Sequence, residues 1–256
     1  MRRAVWAKGV ESLPQAVDYV NSLVAAEVSA RAAGNRGEEV RVLDIGCGVG
    51  GSLIFLAGTV GAGPRGIGVT ISPRQAEIAR RQARQHGLSE KLSFLAADFG
   101  AVSGLPPFHL AFAIESFVHF STPDAFFSAA ARSLAPGARL IVVDDFLSGS
   151  SFARKERRLV ETFRNGWLLP SLCAVGDAAR AAAACGMRLA DDCNLSSCLS
   201  GIPLGARLGT WLVSVMRAIP VPWAYWRSSV GSLALACCQL EGLVEYHFMV
   251  FEKKKA

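Results

Sequence analysis

The chain has 256 residues, a formal net charge of +6 and seven cysteines, and 51% of its residues are hydrophobic. The length suits one α/β domain, and the high apolar content predicts an apolar pocket in addition to the core. The most apolar C-terminal stretch, residues 208–226, is interrupted by Arg217, Pro220 and Pro222, which argues against a spanning helix there. Peripheral contact with a membrane stays open.

The charge and the cysteines narrow the classes of partner and cofactor. Basic chains bind nucleic acid, anionic lipid or phosphorylated substrates, but here four arginines lie on one predicted helix, residues 73–86, as on a solvated helix face. No recognition motif for nucleic acid accompanies them, so no such partner is expected. Irregularly spaced cysteines favour reduced thiols over disulfides or zinc, and no metal is expected. No secretory signal follows Met1, so a cytoplasmic location is expected.

In chain order, the first predicted element is a helix over residues 12–33. Its apolar residues recur at spacings of three and four, which is typical of an amphipathic helix that packs beside a sheet and covers part of a cofactor site. Residues 40–45 then predict a buried strand, which leads into closely spaced glycines over residues 46–51. A helix over residues 52–57 would present its N-terminus to a ligand.

Strands and helices alternate after this glycine loop. The predicted strands cover residues 66–70, 91–96, 110–114 and 139–143, and the predicted helices cover residues 73–86 and 123–134. Alternation at these lengths predicts a doubly wound parallel sheet, in which ligands lie at the carboxyl ends of the strands. Four of the five strand ends carry acids or a histidine, namely Asp44, Asp98, Glu115 with His119, and Asp144 with Asp145.

The pattern is weaker beyond residue 146. Helices are predicted over residues 154–167 and 176–185, and strands over residues 187–194 and 243–252. Between the last two strands lies a stretch with several aromatic side chains, which include Trp211, Trp223, Tyr225 and Trp226. Prolines and charges interrupt this stretch, so it predicts a cover over a substrate site and not a membrane anchor.

The glycine loop by itself fits two kinds of nucleotide cofactor. Gly46, Gly48 and Gly51 satisfy the dinucleotide pattern G-x-G-x-x-G, which also needs an acid at the end of the second strand to hold a ribose. Here that strand runs into Thr70. Asp44 has no role in the dinucleotide pattern either, so both residues favour a different cofactor.

Five segments, in matching order and spacing, resemble the class I S-adenosylmethionine (SAM)-dependent methyltransferases. They are residues 42–51, residues 68–75, residues 97–99, Glu115-Ser116 with His119, and residues 134–137. The resemblance is to the group that includes tocopherol and sterol C-methyltransferases, cyclopropane fatty acid synthases, prenyl-diphosphate C-methyltransferases and natural-product O-methyltransferases. It implies an α/β, Rossmann-like, mostly parallel seven-stranded sheet with helices on both faces, an antiparallel last strand and a C-terminal lid insertion.

The resemblance also sets the expected organisation of the chain. We expect a single methyltransferase domain over residues 1–256, in which residues 1–39 supply the N-terminal helix and residues 40–146 the SAM-binding core. Residues 147–256 form the substrate-binding part, with a lid near residues 199–230. Either a monomer or a homodimer fits these expectations.

The implied cofactor is SAM, released as S-adenosyl-L-homocysteine. Asp44 supports the glycine loop and the ammonium of the methionine portion, Asp98 lies beside adenine, and Phe99 is positioned to stack. Thr70 and Gln75 fall in the pattern G-[VIL]-T-[LI]-S-x-x-Q, in which the Thr and the Gln contact the cofactor. The full set of implied cofactor contacts is Asp44, Gly46, Cys47, Gly48, Gly50, Thr70, Ile71, Gln75, Asp98, Phe99 and Glu115.

Methyl transfer from a sulfonium needs an aligned acceptor and, for a hydroxyl acceptor, removal of its proton. His119 is the best candidate for the general base, because the family pattern E-S-x-x-H includes it, and Asp145 is expected to orient its imidazole. Glu115, His119 and Asp145 are the predicted catalytic residues. Cyclopropane synthases carry a glutamate where this chain has Val118, which argues against cyclopropanation.

Three functional hypotheses follow from these residues. The primary one is O-methylation of a lipophilic small molecule, such as a polyketide, a terpenoid or another secondary metabolite. C-methylation of a prenyl chain or an aromatic ring stays open, because aromatic side chains such as Trp167, Trp226 and Tyr246 stabilise carbocations. The third hypothesis, from another class, is a non-catalytic SAM-fold partner subunit.

Overall fold

The computed structural model describes residues 3–34, 39–61, 63–200, 206–218 and 224–255. In these ranges one sheet contains seven strands, which are β1 (Arg41–Ile45), β2 (Arg65–Thr70), β3 (Leu92–Ala96), β4 (Phe108–Ile114), β5 (Leu134–Leu147), β6 (Met187–Asn194) and β7 (Val244–Lys253). Their order across the sheet is β3-β2-β1-β4-β5-β7-β6. Strands β1 to β5 pair in parallel, and β7 is antiparallel to both of its neighbours. The predicted seven-stranded, mostly parallel sheet is confirmed.

Helices cover both faces of this sheet. In the described ranges they are α1 (Leu13–Gly34), α2 (Gly51–Thr59), α3 (Pro73–Gln85), α4 (Pro123–Ser133), α5 (Arg154–Trp167), α6 (Val175–Ala184), α7 (Ala206–Ala218) and α8 (Ala224–Leu240). One core lies between the sheet and α1, α2 and α3, and the other lies under α4, α5, α6 and α8. Ser72 caps α3 by accepting a hydrogen bond from the backbone N–H of Gln75, with Pro73 at the first position, as the sequence predicts.

The pairing of β5 with β7 places four functional side chains on two opposite faces. Asp145 pairs with Tyr246, and Asp144 pairs with His247. Successive residues of a strand point to opposite faces, so Asp145 and Tyr246 share the face covered by α1, while Asp144 and His247 share the other. Since β7 is antiparallel, its first residues lie at the carboxyl ends of the parallel strands.

Residues 3–7, here called the strap, cross this carboxyl edge of the sheet. The Val5 side chain is fully buried, and its backbone N–H donates to the carbonyl of Ala16 at 2.8 Å. The next residue, Trp6, donates its backbone N–H to the carbonyl of Cys198 at 2.6 Å, and Val5 forms an isolated bridge with Leu199. The strap therefore joins α1 to the point where the predicted lid begins.

The predicted lid, residues 199–230, includes helix α7 and the start of α8. Residues 201–205 and 219–223, with Trp223 among them, lie outside the described residues. Helix α8 continues into the core, where Val230 and Ala234 are buried. The backbones of α5 and α8 cross closely at Gly166 and Gly231. None of the helices in the described ranges is both long enough and apolar enough to cross a membrane.

Candidate active site

In the glycine loop after β1, two glycines pack closely against neighbouring side chains and one glycine borders open space. A Cβ on Gly46 would lie 2.7 Å from the Ser116 hydroxyl, and one on Gly50 would lie 2.7 Å from the Phe94 ring. Gly48 has a φ of +53°, yet a Cβ there would meet nothing within 4 Å. Gly46 and Gly50 are therefore required by packing, whereas Gly48 borders open space that suits a ligand.

Asp44 and Cys47 lie beneath this loop. Asp44 is 3% exposed at the end of β1, and Cys47 is 8% exposed. The Cys47 sulfur lies beside Gly68, where a Cβ would come within 2.8 Å of it. Burial, together with the charge of Asp44, raises the pKa of the Cys47 thiol, so the thiol stays neutral. The Cys47 side chain thus packs against β2.

The end of β2 brings Thr70 and Gln75 together, as their shared pattern predicts. The buried Thr70 hydroxyl donates a hydrogen bond to the Gln75 side-chain oxygen at 2.8 Å and accepts one from the Ser72 backbone N–H at 3.3 Å. Ile71, between them, is 81% exposed. An isoleucine held open at a strand end offers an apolar surface to a ligand.

Asp98 and Phe99 follow β3. Asp98 is exposed, and its carboxylate accepts a hydrogen bond from the Gly100 backbone N–H at 2.9 Å, which caps a short 3-10 turn. That turn directs the Phe99 ring inward, where it is 5% exposed and contacts Phe120 edge to face at 6.3 Å. The Phe99 ring is thus part of the core, and its predicted stacking on adenine stays a prediction. Ile71 is an exposed apolar side chain at this edge.

A cluster of charged and aromatic groups lies at the ends of β4, β5 and the start of β7. Glu115 follows β4 with a φ of +52°, and its carboxylate accepts hydrogen bonds from the Arg3 backbone N–H at 3.1 Å and the Tyr246 hydroxyl at 3.2 Å. The Arg3 guanidinium donates to both oxygens of Asp145, one of them at 2.6 Å. It also lies over the Tyr246 ring, 4.8 Å from the centroid.

Burial dominates the electrostatics of this cluster. It raises the pKa of Asp145, and the charge and hydrogen bonds of Arg3 oppose that rise. Burial also raises the pKa of Asp144 to about 8 and that of the Tyr246 hydroxyl well above its ordinary value. The tyrosine is therefore a neutral donor to Glu115, and Arg3 is the group that favours ionised Asp145.

His119 lies near this cluster but does not pair with Asp145. It is exposed on a 3-10 turn, and its Nδ1 lies 3.3 Å from the Leu168 carbonyl oxygen. Asp145 faces the strap side of the sheet, whereas Asp144 on the other face accepts a hydrogen bond from the Val118 backbone N–H at 3.2 Å. The predicted His119–Asp145 pair is therefore wrong, because neighbouring residues of β5 point to opposite faces.

Three residues that matter here were missed from the sequence or given another role. Arg3 lies in no motif, and only the folded chain brings it to Asp145. Tyr246 was considered as an aromatic surface for a cation, not as a donor to Glu115. For Asp144, the sequence did contain a signal, because two adjacent acids in a strand must point to opposite faces of the sheet.

A groove of about 450 Å³ lies beside residues 8–10, which follow the strap. It lies between the loop after the strap, α1 and α2, and its lining includes Lys8, Gln15, Tyr19 and Phe55. None of the predicted cofactor contacts lines it. The groove is therefore distinct from the site at the strand ends.

Comparison with known proteins supports the resemblance found in the sequence. A family model described as a methyltransferase domain matches residues 42–137, the segment that carries the glycine loop and the first four strand ends. This match covers less than half of the chain and coincides with the segment that resembles the class I SAM-dependent methyltransferases. The match includes Asp44, Thr70, Asp98 and Glu115, so the predicted resemblance is confirmed.

Proteins similar to this chain have several chemistries. A probable tocopherol O-methyltransferase of chloroplasts from Oryza sativa subsp. japonica is 36% identical over 143 residues, which are 53% of this chain and 39% of that protein. This chain thus spans about two fifths of that relative's length. Two solved structures share the fold. The [4+2]-cyclase SpnF has a TM-score of 0.71 and 24% sequence identity, and the alignment covers 100% of this chain and 89% of the cyclase. A geranyl diphosphate methyltransferase in complex with SAM has a TM-score of 0.72 and 15% identity, and the alignment covers 98% of each chain.

Proposed function

We propose that this chain transfers a methyl group from SAM to a hydroxyl of a lipophilic small molecule, with His119 as the general base. The observation that carries the proposal is that the open glycine loop and His119 follow the carboxyl ends of two neighbouring strands, β1 and β4. SAM brings a methyl group already activated by its sulfonium. The protein residues then bind, align and deprotonate.

The residues present fit SAM on both chemistry and shape. The open space beside Gly48 accommodates the methionine portion, and Asp44 beneath the loop is the carboxylate that the resemblance assigns to its ammonium. Glu115 is a further implied cofactor contact. Exposed Ile71 and Asp98 at neighbouring strand ends offer an apolar surface and an acceptor for the adenosine portion. These assignments are part of the proposal and rest on the family resemblance together with the placement of the side chains.

The contact of His119 with Leu168 supports a role as base. When the ring carries its proton on Nδ1, it donates to the Leu168 carbonyl and leaves Nε2 with the lone pair that a base requires. Leu168 has a φ of +55°, an uncommon conformation for leucine. Its side chain is 66% exposed, as is 44% of Trp167. The residue whose carbonyl contacts His119 therefore lies in an exposed apolar segment, which suits a lipophilic acceptor.

C-methylation is the second candidate, since relatives of this fold include a geranyl diphosphate methyltransferase. The geometry at Tyr246 gives it less support, because the Arg3 guanidinium already lies over that ring. A carbocation would meet a cation there. The cyclase SpnF shows that the same fold also accompanies other reactions, so SAM consumption has to be measured directly.

Calorimetric titration with SAM, with its demethylated product and with NAD tests the cofactor assignment. We expect both SAM and the product to bind, and NAD to give no signal. Gly48→Val should abolish SAM binding, because its side chain enters the open space. Gly87→Val is the matched control, since Gly87 also has a positive φ of +67° and open surroundings. Binding of SAM to Gly48→Val, or binding of NAD to the parent chain, would contradict the assignment.

A further inference from the structure

Helix α7 carries apolar side chains on two opposite faces. On one face Val213 is buried and Met216 packs against the core. Leu208, Trp211 and Val215, here called the stripe, recur at spacings of three and four, so they share the other face. All three are exposed. The packing of α7 therefore uses only one of its two apolar faces, and the stripe stays open to solvent.

The lid also exposes two large aromatic side chains. Trp211 is 60% exposed, and Tyr225, near the start of α8, is 85% exposed. Helices α7 and α8 pack against each other, so both rings belong to one part of the fold. A tryptophan is usually well buried in a protein that meets only water, whereas Trp and Tyr are enriched where proteins meet the surface of a bilayer.

Every charged residue of the lid is an arginine. Residues 193–240 contain Arg207, Arg217 and Arg227 but no aspartate, glutamate or lysine, and the Arg227 side chain is exposed. Helix α5 packs along α8, and its exposed charged residues are four cations and one acid, namely Arg154, Lys155, Arg157, Arg158 and Glu161. An apolar, aromatic helix face in a basic setting is typical of helices that lie on anionic membranes.

The charges favour an anionic lipid surface over a second copy of this chain. If two copies met through their stripes, the lid arginines of one copy would lie close to those of the other, and like charges across an interface weaken it. The phosphates of an anionic bilayer would instead attract the arginines, while its acyl region receives the stripe. RNA also carries phosphates, but it offers no apolar phase for Leu208 and Val215.

The lid adjoins the apolar segment beside His119. Helix α8 contacts that segment, since a Cβ on Gly231 would lie 2.9 Å from the Trp167 ring. Leu168, the next residue, contacts the His119 ring through its carbonyl. The lid is therefore next to the residues that the proposed function assigns to the acceptor.

We propose that the stripe docks the lid on an anionic lipid surface, with α7 lying in the plane of that surface and not across it. The docking stands on the stripe and the arginines. Its use in supplying an acceptor rests on the proposed function, because lipophilic molecules concentrate in bilayers. The strength of docking depends on both the anionic lipid and the apolar side chains of the stripe.

The test is flotation of the full chain with vesicles of phosphatidylcholine alone or of phosphatidylcholine with phosphatidylglycerol. We expect at least about tenfold tighter binding to the anionic vesicles, because each arginine near such a surface contributes about fivefold. Salt raised from about 0.05 M to about 0.5 M should remove most of this difference by screening the exposed charges. Equal affinity for both kinds of vesicle would overturn the proposal.

Substitutions in the stripe show whether it makes the contact. Trp211→Ser should weaken binding to anionic vesicles about tenfold, because a large apolar side chain no longer enters the bilayer. Leu208→Ser should weaken it about fivefold. Leu240→Ser is the matched control, since Leu208 and Leu240 are 52% and 46% exposed but Leu240 is the last residue of α8, and it should bind like the parent.

Equal effects of the two leucine substitutions would contradict docking through the stripe. Thermal melts report whether each variant is folded, and the leucine pair decides the outcome if Trp211→Ser is unfolded. A parent chain that binds neither kind of vesicle overturns the proposal, whether it instead binds an RNA oligonucleotide or forms a dimer that dissociates in Trp211→Ser. A chain that docks on anionic vesicles but does not bind SAM supports the docking and refutes the proposed function.

Discussion

Replacing His119 with alanine separates hydroxyl methylation from the alternatives. A positioned general base contributes about 10²–10⁴-fold to a rate. The partner of Nδ1 here is the neutral Leu168 carbonyl at 3.3 Å and not a carboxylate, so the imidazolium formed during transfer gains no ion-pair stabilisation. We therefore expect His119→Ala to lower kcat by about 10²-fold, towards the lower end of that range.

Once an acceptor is found, the assay measures the initial rate of methyl transfer with saturating SAM. Calorimetry measures the affinity for SAM in parallel. The affinity of His119→Ala should equal that of the parent chain, because His119 is not among the implied cofactor contacts. His86→Ala is the matched control, since His86 is also exposed but lies at the C-terminal end of α3, and it should retain full activity. A His119→Ala enzyme with the parent's kcat would refute the base assignment and favour transfer by alignment alone or a carbon acceptor.

Three further predictions follow from the packing and the charges. Burial raises the pKa of Asp144 from its ordinary 3.8 to about 8, so between these pH values the carboxyl takes up a proton on folding. The free energy of unfolding should therefore fall as the pH rises through this range, by at most ~1.4 kcal/mol per pH unit. Urea titrations should show a shallower fall in Asp144→Asn, and an equal slope would contradict this. Gly231→Ala should lower the free energy of unfolding in urea by ~1–3 kcal/mol, because its Cβ would lie 2.9 Å from the Gly166 backbone. Gly149→Ala, with open surroundings, should leave that free energy unchanged. Equal effects of the two substitutions would refute the close crossing of α5 and α8. Ile71→Ser should change the free energy of unfolding by no more than ~0.5 kcal/mol. It should weaken the binding of SAM about fivefold, because part of the apolar area buried against the cofactor is lost. An unchanged affinity for SAM would show that Ile71 does not contact the cofactor.

The sheet was predictable because its signals are local. A few neighbouring residues are enough to indicate each strand and helix, the start of α3 at Ser72-Pro73 and the glycine loop. The structure confirms that most of the strands pair in parallel. The acids at the strand ends were predictable for the same reason, since the carboxyl ends of parallel strands meet at one edge.

The pairings within the site were not predictable, because they depend on which face each side chain occupies. Asp144 and Asp145 are adjacent in sequence, but they face opposite sides of β5, and the His119 ring contacts the Leu168 carbonyl instead of either carboxylate. Phe99 was assigned to the cofactor because its position matched a motif, although the short turn directs its ring into the core. Arg3 is 142 residues from Asp145 in the chain, and no local pattern could indicate their contact.

The measurement that tests the central claim most directly is methyl transfer from SAM that carries a deuterated methyl group. The chain would be incubated with this SAM and with extracts of lipophilic metabolites, and the products would be analysed by mass spectrometry, with His119→Ala in parallel. The account predicts a product that carries the labelled methyl on oxygen, formed much more slowly by the variant. Label on carbon, or binding of SAM without labelled product in any extract, would contradict it.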